Sequence, residues 1–355
     1  MGWNSKSGIL KNEKISEDEL WSYFNYFFSD SCQKTTTYKF AFLKSILDNL
    51  FNNIPFENGY KISYYNIFEK FAESFWNLVV KYNLRQQALN SQGKTSKIEQ
   101  IFNELINKNP ILQNLEFSSM EEDTKIRTIK KVLTECKKYV IGAFYGDFNG
   151  FLYGFEENTD YLVFSNTAYN FLVKYKMEIE KLNYYSWAKF LEKINEENVL
   201  YKILTKLDLS IPKRSPLDIY REILYKEFQE NNCFYCGKKL KNLVHVDHFI
   251  PWSFIKEDKI WNFVLSCPQC NTRKNNFLPD ERFVTKIILR NQTICKDIDS
   301  LKNPKIKNEF VNYSDELIPK LWKYARFSGF KPYEKSLTYN IPQNTGYLPA
   351  ADSGK

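Results

Sequence analysis

Histidine is almost missing from this chain, with two among 355 residues. It is the side chain best suited to moving protons near neutral pH, so wherever those two fall is a first place to look for chemistry. Glycine and proline are also scarce, 12 of each; the chain has no internal repeat and no low-complexity tract, and its composition is that of a globular protein. No apolar run approaches the roughly 18 residues that a membrane span needs. Met1-Gly2-Trp3-Asn4-Ser5-Lys6 lacks the apolar stretch of a secretory signal. The expectation is a cytoplasmic protein with no membrane partner. Seven cysteines, an odd number in so large a chain, argue against a disulfide framework.

What is present bounds the rest. At 43% hydrophobic and 26% charged residues, the chain is long enough for two or three domains with ordinary cores. A formal charge of +8 and a pI near 8.8 suit a polyanionic partner, because neutralising phosphates releases counterions. The 24 tyrosines and 29 phenylalanines accompany abundant Asn, Lys and Ile. They read as compositional bias rather than as a base-stacking surface.

Helical patterning dominates the first 210 residues. Ser16-Glu17-Asp18-Glu19 is a capping box ahead of Leu20–Phe28. Apolar periodicity predicts helices at 38–51, 64–84, 96–107, 119–138, 166–182 and 185–195, with another at 198–207. Gly142, Gly146, Gly150 and Gly154 interrupt short aromatic runs, so a small β insertion is expected at about 139–164. The Lys/Arg-rich stretch 125–138 reads either as a solvated helix face or as a DNA-facing one. Near Ser215-Pro216 a capped helix is expected to run to about Gln229. Helices are also expected at 282–289 and 315–326, then a frayed tail from Tyr339. The division expected is 1–210, a helix-rich recognition or regulatory region; 211–290, a compact module with its lead-in helix; and 291–355, a helical extension and tail.

The informative stretch runs from Cys233 to Pro279. Cys233, Cys236, Cys267 and Cys270 form two C-x2-C knuckles, the tetrahedral thiolate set that a structural Zn²⁺ takes. Cys32, Cys136 and Cys295 read as buried small hydrophobes. Between the knuckles lies His245-Val246-Asp247-His248, which holds both histidines of the chain. They could be further zinc ligands, but four cysteines already close that shell.

This run resembles the HNH, or ββα-metal, endonuclease family, including the HNH domains of RNA-guided CRISPR effector nucleases. Asp247-His248 match the strand-ending Asp-His, Phe249-Ile250-Pro251 the start of the loop, Asn262 the central Asn, and Asn271 the last family position. Lys274 matches a basic position on the final helix. Many relatives carry histidine where Asn271 stands, so this version is His-Asn-Asn. The resemblance covers about 47 of the 355 residues. Tyr38-Lys39 with its helix, and 71–86, resemble larger bacterial HNH proteins of restriction or phage-defence type.

The resemblance implies an α+β chain: mainly helical, multidomain, with a small ββα-metal nuclease module stapled by a four-cysteine zinc site. It implies His248 as general base and Asp247 and Asn271 as oxygen ligands to one Mg²⁺ or Mn²⁺. Asn262 would bond backbone across the loop and hold His248. His245 would stand beside the metal or be structural, and Arg273 and Lys274 would meet phosphate. DNA is the expected partner; an activating or sensor protein and a homodimer stay open. The rival is a zinc-stabilised nucleic-acid-binding module without catalysis. A binder has no need of a base beside two oxygen ligands, which favours the enzyme.

Overall fold

A computed structural model of the chain describes residues 7–11, 14–88, 93, 95–208, 217–241, 243–298, 303–311 and 313–333. The expected Ser215-Pro216 cap and the tail from Tyr339 lie outside the described residues. The chain divides into two units.

The first unit comprises 1–215, 252–258 and 311–329. Helix α1 (Glu17–Phe28) opens on the expected reciprocal cap: Ser16 Oγ accepts from the Glu19 N–H at 3.2 Å, and Glu19 Oε2 accepts from the Ser16 N–H at 2.8 Å. Helix α2 (Tyr38–Asp48) is buried along nearly its whole length. Strands β1 (Ile54–Phe56) and β2 (Gly59–Ser63) lead into α3 (Tyr64–Trp76), which widens into a π-turn at Asn77–Lys81. Helix α4 (Lys97–Lys108) carries a second reciprocal cap, Ser96 with Glu99. Helix α5 (Glu122–Asp147) is followed by β3 (Tyr161–Ser165), α6 (Asn166–Lys174), α7 (Lys176–Ile194), α8 (Glu197–Leu200) and α9 (Ile203–Asp208).

The core of this unit is aromatic. Phe27, Phe42, Phe68, Phe71, Phe144 and Trp187 are fully buried, and rings meet edge to face, as Phe27 does with Phe144 at 5.1 Å and 82°. The stripe along α3 is therefore packing, not a surface for bases.

One expectation is corrected in part. The β structure expected at about 139–164 does not start at 139: α5 continues to Asp147 through Gly142 and Gly146. Ile129, Val132, Cys136, Val140 and Phe144 give it one buried face, and that burial outweighs the roughly 1 kcal/mol each glycine costs a helix. The strand at its end does exist, but its main partner is β2, in the antiparallel order β1-β2-β3 with Ile62 opposite Leu162; only an isolated bridge joins Gly154 to Val163. In the basic run 125–138, Lys125 pairs with Glu69 at 2.8 Å, Lys131 with Glu104 at 2.5 Å and Lys138 with Glu135 at 3.5 Å.

The segment 252–258, which the sequence places between Pro251 and Asn262, is built into this first unit. Its short helix α11 (Trp252–Ile255) buries Phe254 and Ile255. The Lys176 ammonium donates to the Ile255 carbonyl at 2.8 Å, and Lys256 pairs with Glu180 at 2.6 Å. Glu180 also faces Lys44 at 3.5 Å, which pairs with Asp48. Burial pushes Lys176 down to about 8 against the pull of Glu180, Asp48 and Glu257.

The second unit comprises 216–251, 259–310 and 330–355. Helix α10 (Asp218–Glu222) precedes the hairpin of β4 (His245–His248) and β5 (Phe263–Ser266), paired antiparallel with His245 opposite Ser266 and His248 opposite Phe263. Helices α12 (Pro268–Lys274), α13 (Arg282–Lys296) and α14 (Pro304–Asn308) follow. Helix α15 (Leu317–Phe327) returns to the first unit. Among the described residues no helix is long and apolar enough to cross a membrane.

Candidate active site

The four cysteines come together. All four sulfurs lie within 4.8 Å of one another, with Cys236 Sγ and Cys267 Sγ 3.9 Å apart. Thiolates about 2.3 Å from a tetrahedral zinc ion sit roughly 3.8 Å from each other, so the donor set and its spacing fit that ion. The first knuckle closes where Gly237, at φ 71°, lets its N–H reach the Cys233 carbonyl at 2.8 Å. In the second knuckle Cys267 caps α12 and Pro268 takes its first position. Burial raises Cys233, and burial with the charge of neighbouring sulfurs raises Cys270. A bound cation is what lets such thiols ionise together.

Strand alternation sends His245 and Asp247 to one side of β4, and both meet α12 there. His245 Nδ1 lies 3.1 Å from Asn271 Nδ2. Lys274 Nζ lies 3.2 Å from Asp247 Oδ2 and 3.3 Å from Oδ1, and donates to the His248 carbonyl at 2.7 Å. Tyr235 donates its hydroxyl to Asp247 Oδ2 at 2.5 Å. The His248 ring stands against Phe263 at 4.6 Å. Asp247 and His248 are 7% and 6% exposed.

Asn262 is fully buried and spans the loop: its Oδ1 accepts from the Ile250 N–H at 2.8 Å and its Nδ2 donates to the Ile250 carbonyl at 2.9 Å. The Phe249 N–H reaches the Asn262 carbonyl at 2.7 Å. The two residues after His248 are thus fixed to the start of β5. Outside the hairpin, Arg290 donates to the Phe263 carbonyl and Asn291 donates to Trp261 O at 2.9 Å, so α13 holds β5 from behind.

Residues 233–277 match the family model described as HNH endonuclease. The chain carries an HNH domain. The match places this segment in a nuclease family and agrees with the four-cysteine cluster. No curated protein and no solved structure matches the chain.

Within the HNH domain the structure brings His245, Asp247 and Asn271 to the hairpin–helix face, with His248 at the strand end and Asn262 across the loop. Arg273 is exposed on α12. Lys274 is placed differently from its expected part as a phosphate contact: it is 4% exposed, and its ammonium is engaged by Asp247 and the His248 carbonyl. Burial lowers it while Asp247 pulls the other way. It anchors the hairpin from inside. Tyr235 was passed over in the sequence; the only signal was a hydroxyl-bearing aromatic between two of the clustered cysteines.

Asp247 on β4 and Asn271 on α12 carry oxygen donors of the kind a hard divalent cation takes. An amide ligates through oxygen, and Asn271 turns its nitrogen toward His245. Asp247 Oδ2 accepts from Tyr235, and the Lys274 ammonium bridges the carboxylate, 3.2 Å from Oδ2 and donating to Oδ1 at 3.3 Å. A carboxylate and an amide oxygen suit Mg²⁺ or Mn²⁺ better than a thiophilic ion.

Proposed function

We propose that the chain is a metal-dependent endonuclease that hydrolyses DNA phosphodiester bonds by a one-metal HNH mechanism. His248 takes the proton from the attacking water, a task suited to an imidazole near neutral pH. Asp247 and Asn271 hold Mg²⁺ or Mn²⁺, which when bound supplies positive charge to the phosphate and the departing oxygen. Asn262 and Lys274 fix the backbone at and just after His248, one through Ile250 and the other through the His248 carbonyl. Zn²⁺ on the four cysteines is structural. Arg273 is the phosphate contact on α12. The helical unit recognises DNA or a protein partner, and the setting is bacterial restriction or phage defence.

The observation that supports this reading is the HNH endonuclease match over 233–277, which takes in Asp247 and His248 on β4 and Asn271 on α12, with the loop after His248 clamped by Asn262. Purified protein incubated with plasmid, single-stranded DNA and RNA, with and without Mg²⁺ or Mn²⁺, tests it. Metal-dependent cutting of DNA is the expected result; inertness toward every substrate would leave the binding-module alternative.

A second reading is a nuclease held idle until a partner protein activates it. The near-complete burial of Asp247 and His248, with Lys274 lying on the carboxylate, favours it. In that case cleavage appears only when the partner is added.

A further inference from the structure

We propose that Tyr235 is a positioning residue that couples the zinc knuckle to the metal-binding carboxylate of Asp247. The proposal rests on the reading of Asp247 as a ligand to the catalytic cation.

Tyr235 lies between Cys233 and Cys236, inside the turn that the zinc ion would close. That turn is joined to the hairpin by backbone, since the Phe234 N–H donates to the Leu265 carbonyl at 2.8 Å. Leu265 is the β5 residue that pairs with Val246, next to Asp247. The Tyr235 ring is wedged edge-on between Phe234, at 5.4 Å and 88°, and Phe283, at 5.5 Å and 84°. A ring held on two sides, on backbone anchored at both ends, has little freedom to move its hydroxyl.

That hydroxyl donates to Asp247 Oδ2. Phenylalanine would fill the same volume without a polar atom to satisfy in the interior, so packing alone does not account for tyrosine here. The carboxylate needs what the hydroxyl offers: it is 7% exposed, and its other donor is Lys274. With Oδ2 held by Tyr235 and the Lys274 ammonium within reach of both oxygens, the side chain is fixed about its terminal bond in one orientation. Partners of this kind, outside the ligand set but bonded to it, raise metal affinity by fixing ligand orientation. Zinc binding, the knuckle turn and the aim of Asp247 therefore form one connected structure, in which an ion that takes no part in the reaction prepares the site for the ion that does.

The test uses the full-length, zinc-loaded chain carrying Tyr235→Phe. Zinc is counted by elemental analysis, Mn²⁺ affinity is read from the electron paramagnetic resonance signal of the free ion, and DNA cleavage is titrated with Mn²⁺. The proposal expects wild-type zinc content and Mn²⁺ affinity lowered about 10–100-fold. Cleavage should half-saturate at correspondingly higher Mn²⁺ and return toward the wild-type rate at saturation, a split that a merely structural tyrosine would not produce. Mn²⁺ affinity equal to wild type overturns the proposal. Loss of zinc also overturns it, because Tyr235 would then serve the knuckle's own fold. Asp247→Asn is measured alongside. If that variant binds Mn²⁺ as the wild type does, the functional reading has failed and takes the proposal with it. If it abolishes binding while Tyr235→Phe changes nothing, the proposal alone has failed.

Discussion

Asn262 grips Ile250 by both of its backbone groups, accepting from the N–H at 2.8 Å and donating to the carbonyl at 2.9 Å. One amide, fully buried, thereby fixes the chain two residues beyond His248. No alternative side chain of that length offers a donor and an acceptor in the same plane. Asn262→Ala leaves both Ile250 groups unmet in the interior and should destabilise the HNH domain by about 2–4 kcal/mol. Asn262→Asp keeps the acceptor, loses the donor and sets a carboxylate against a carbonyl, so it should be no better tolerated. Chemical denaturation followed by Trp261 fluorescence in a chain whose other tryptophans are replaced by phenylalanine would measure both. An alanine variant as stable as the wild type would show that the clamp contributes little.

The four-cysteine cluster predicts about one tightly held Zn²⁺ per chain. Cys236→Ser and Cys267→Ser should each lose the ion and unfold the knuckle, and with it the hairpin that Phe234 anchors. Elemental analysis of wild type and variants, with thermal melts of each, checks this. Folded, zinc-free wild-type protein would remove the assignment.

Lys176 gives a pH dependence with a defined sign. Its folded pKa, about 8, lies below its value in an unfolded chain, near 10.4. Between those values the unfolded state holds more protons than the folded one, so stability rises with pH across roughly pH 8 to 10, by at most about 1.4 kcal/mol per pH unit. Below pH 8 the ammonium is charged in both states and its burial is a standing cost. Burial raises Tyr38, Tyr64 and Tyr153, which lowers stability above pH 10, so the informative window ends there. Lys176→Met removes the titrating group. The difference in unfolding free energy between wild type and variant should shift in favour of the wild type as pH rises from 8 to 10. A difference that stays constant, or moves the other way, contradicts a low folded pKa.

How much of this was legible in the sequence depends on the range of the interactions involved. The four-cysteine cluster and the HNH segment were readable because ligand spacing is local and all of it lies within one short stretch. The β1-β2-β3 sheet was not, since Ile62 and Leu162 pair across the whole of α3, α4 and α5; the glycines near Gly142 suggested β structure that helix packing overrides. The burial of Lys274 was not readable because a lysine at a helix end looks the same in sequence whether its ammonium points outward or, as here, back to Asp247. Tyr235 was missed for a related reason: its partner lies 12 residues away, and nothing about a tyrosine between two cysteines names a carboxylate as its acceptor. Nor did the sequence indicate that 252–258, inside the HNH stretch, would be built into the helical unit.

The central claim is that His248 is the proton acceptor of a metal-dependent nuclease, and single-turnover plasmid cleavage across a Mg²⁺ and Mn²⁺ titration tests it most directly. His248→Ala should lose about 10²–10⁴-fold in rate while keeping zinc content, fold and DNA affinity, and added metal should not restore it. Asp247→Ala and Asn271→Ala should be partly rescued by Mn²⁺, which binds such sites more weakly than later transition metals but with less geometric demand than Mg²⁺. His245→Ala should retain substantial activity. A His248→Ala variant that cuts at the wild-type rate while His245→Ala is dead would contradict the account, because the base would then be the other histidine.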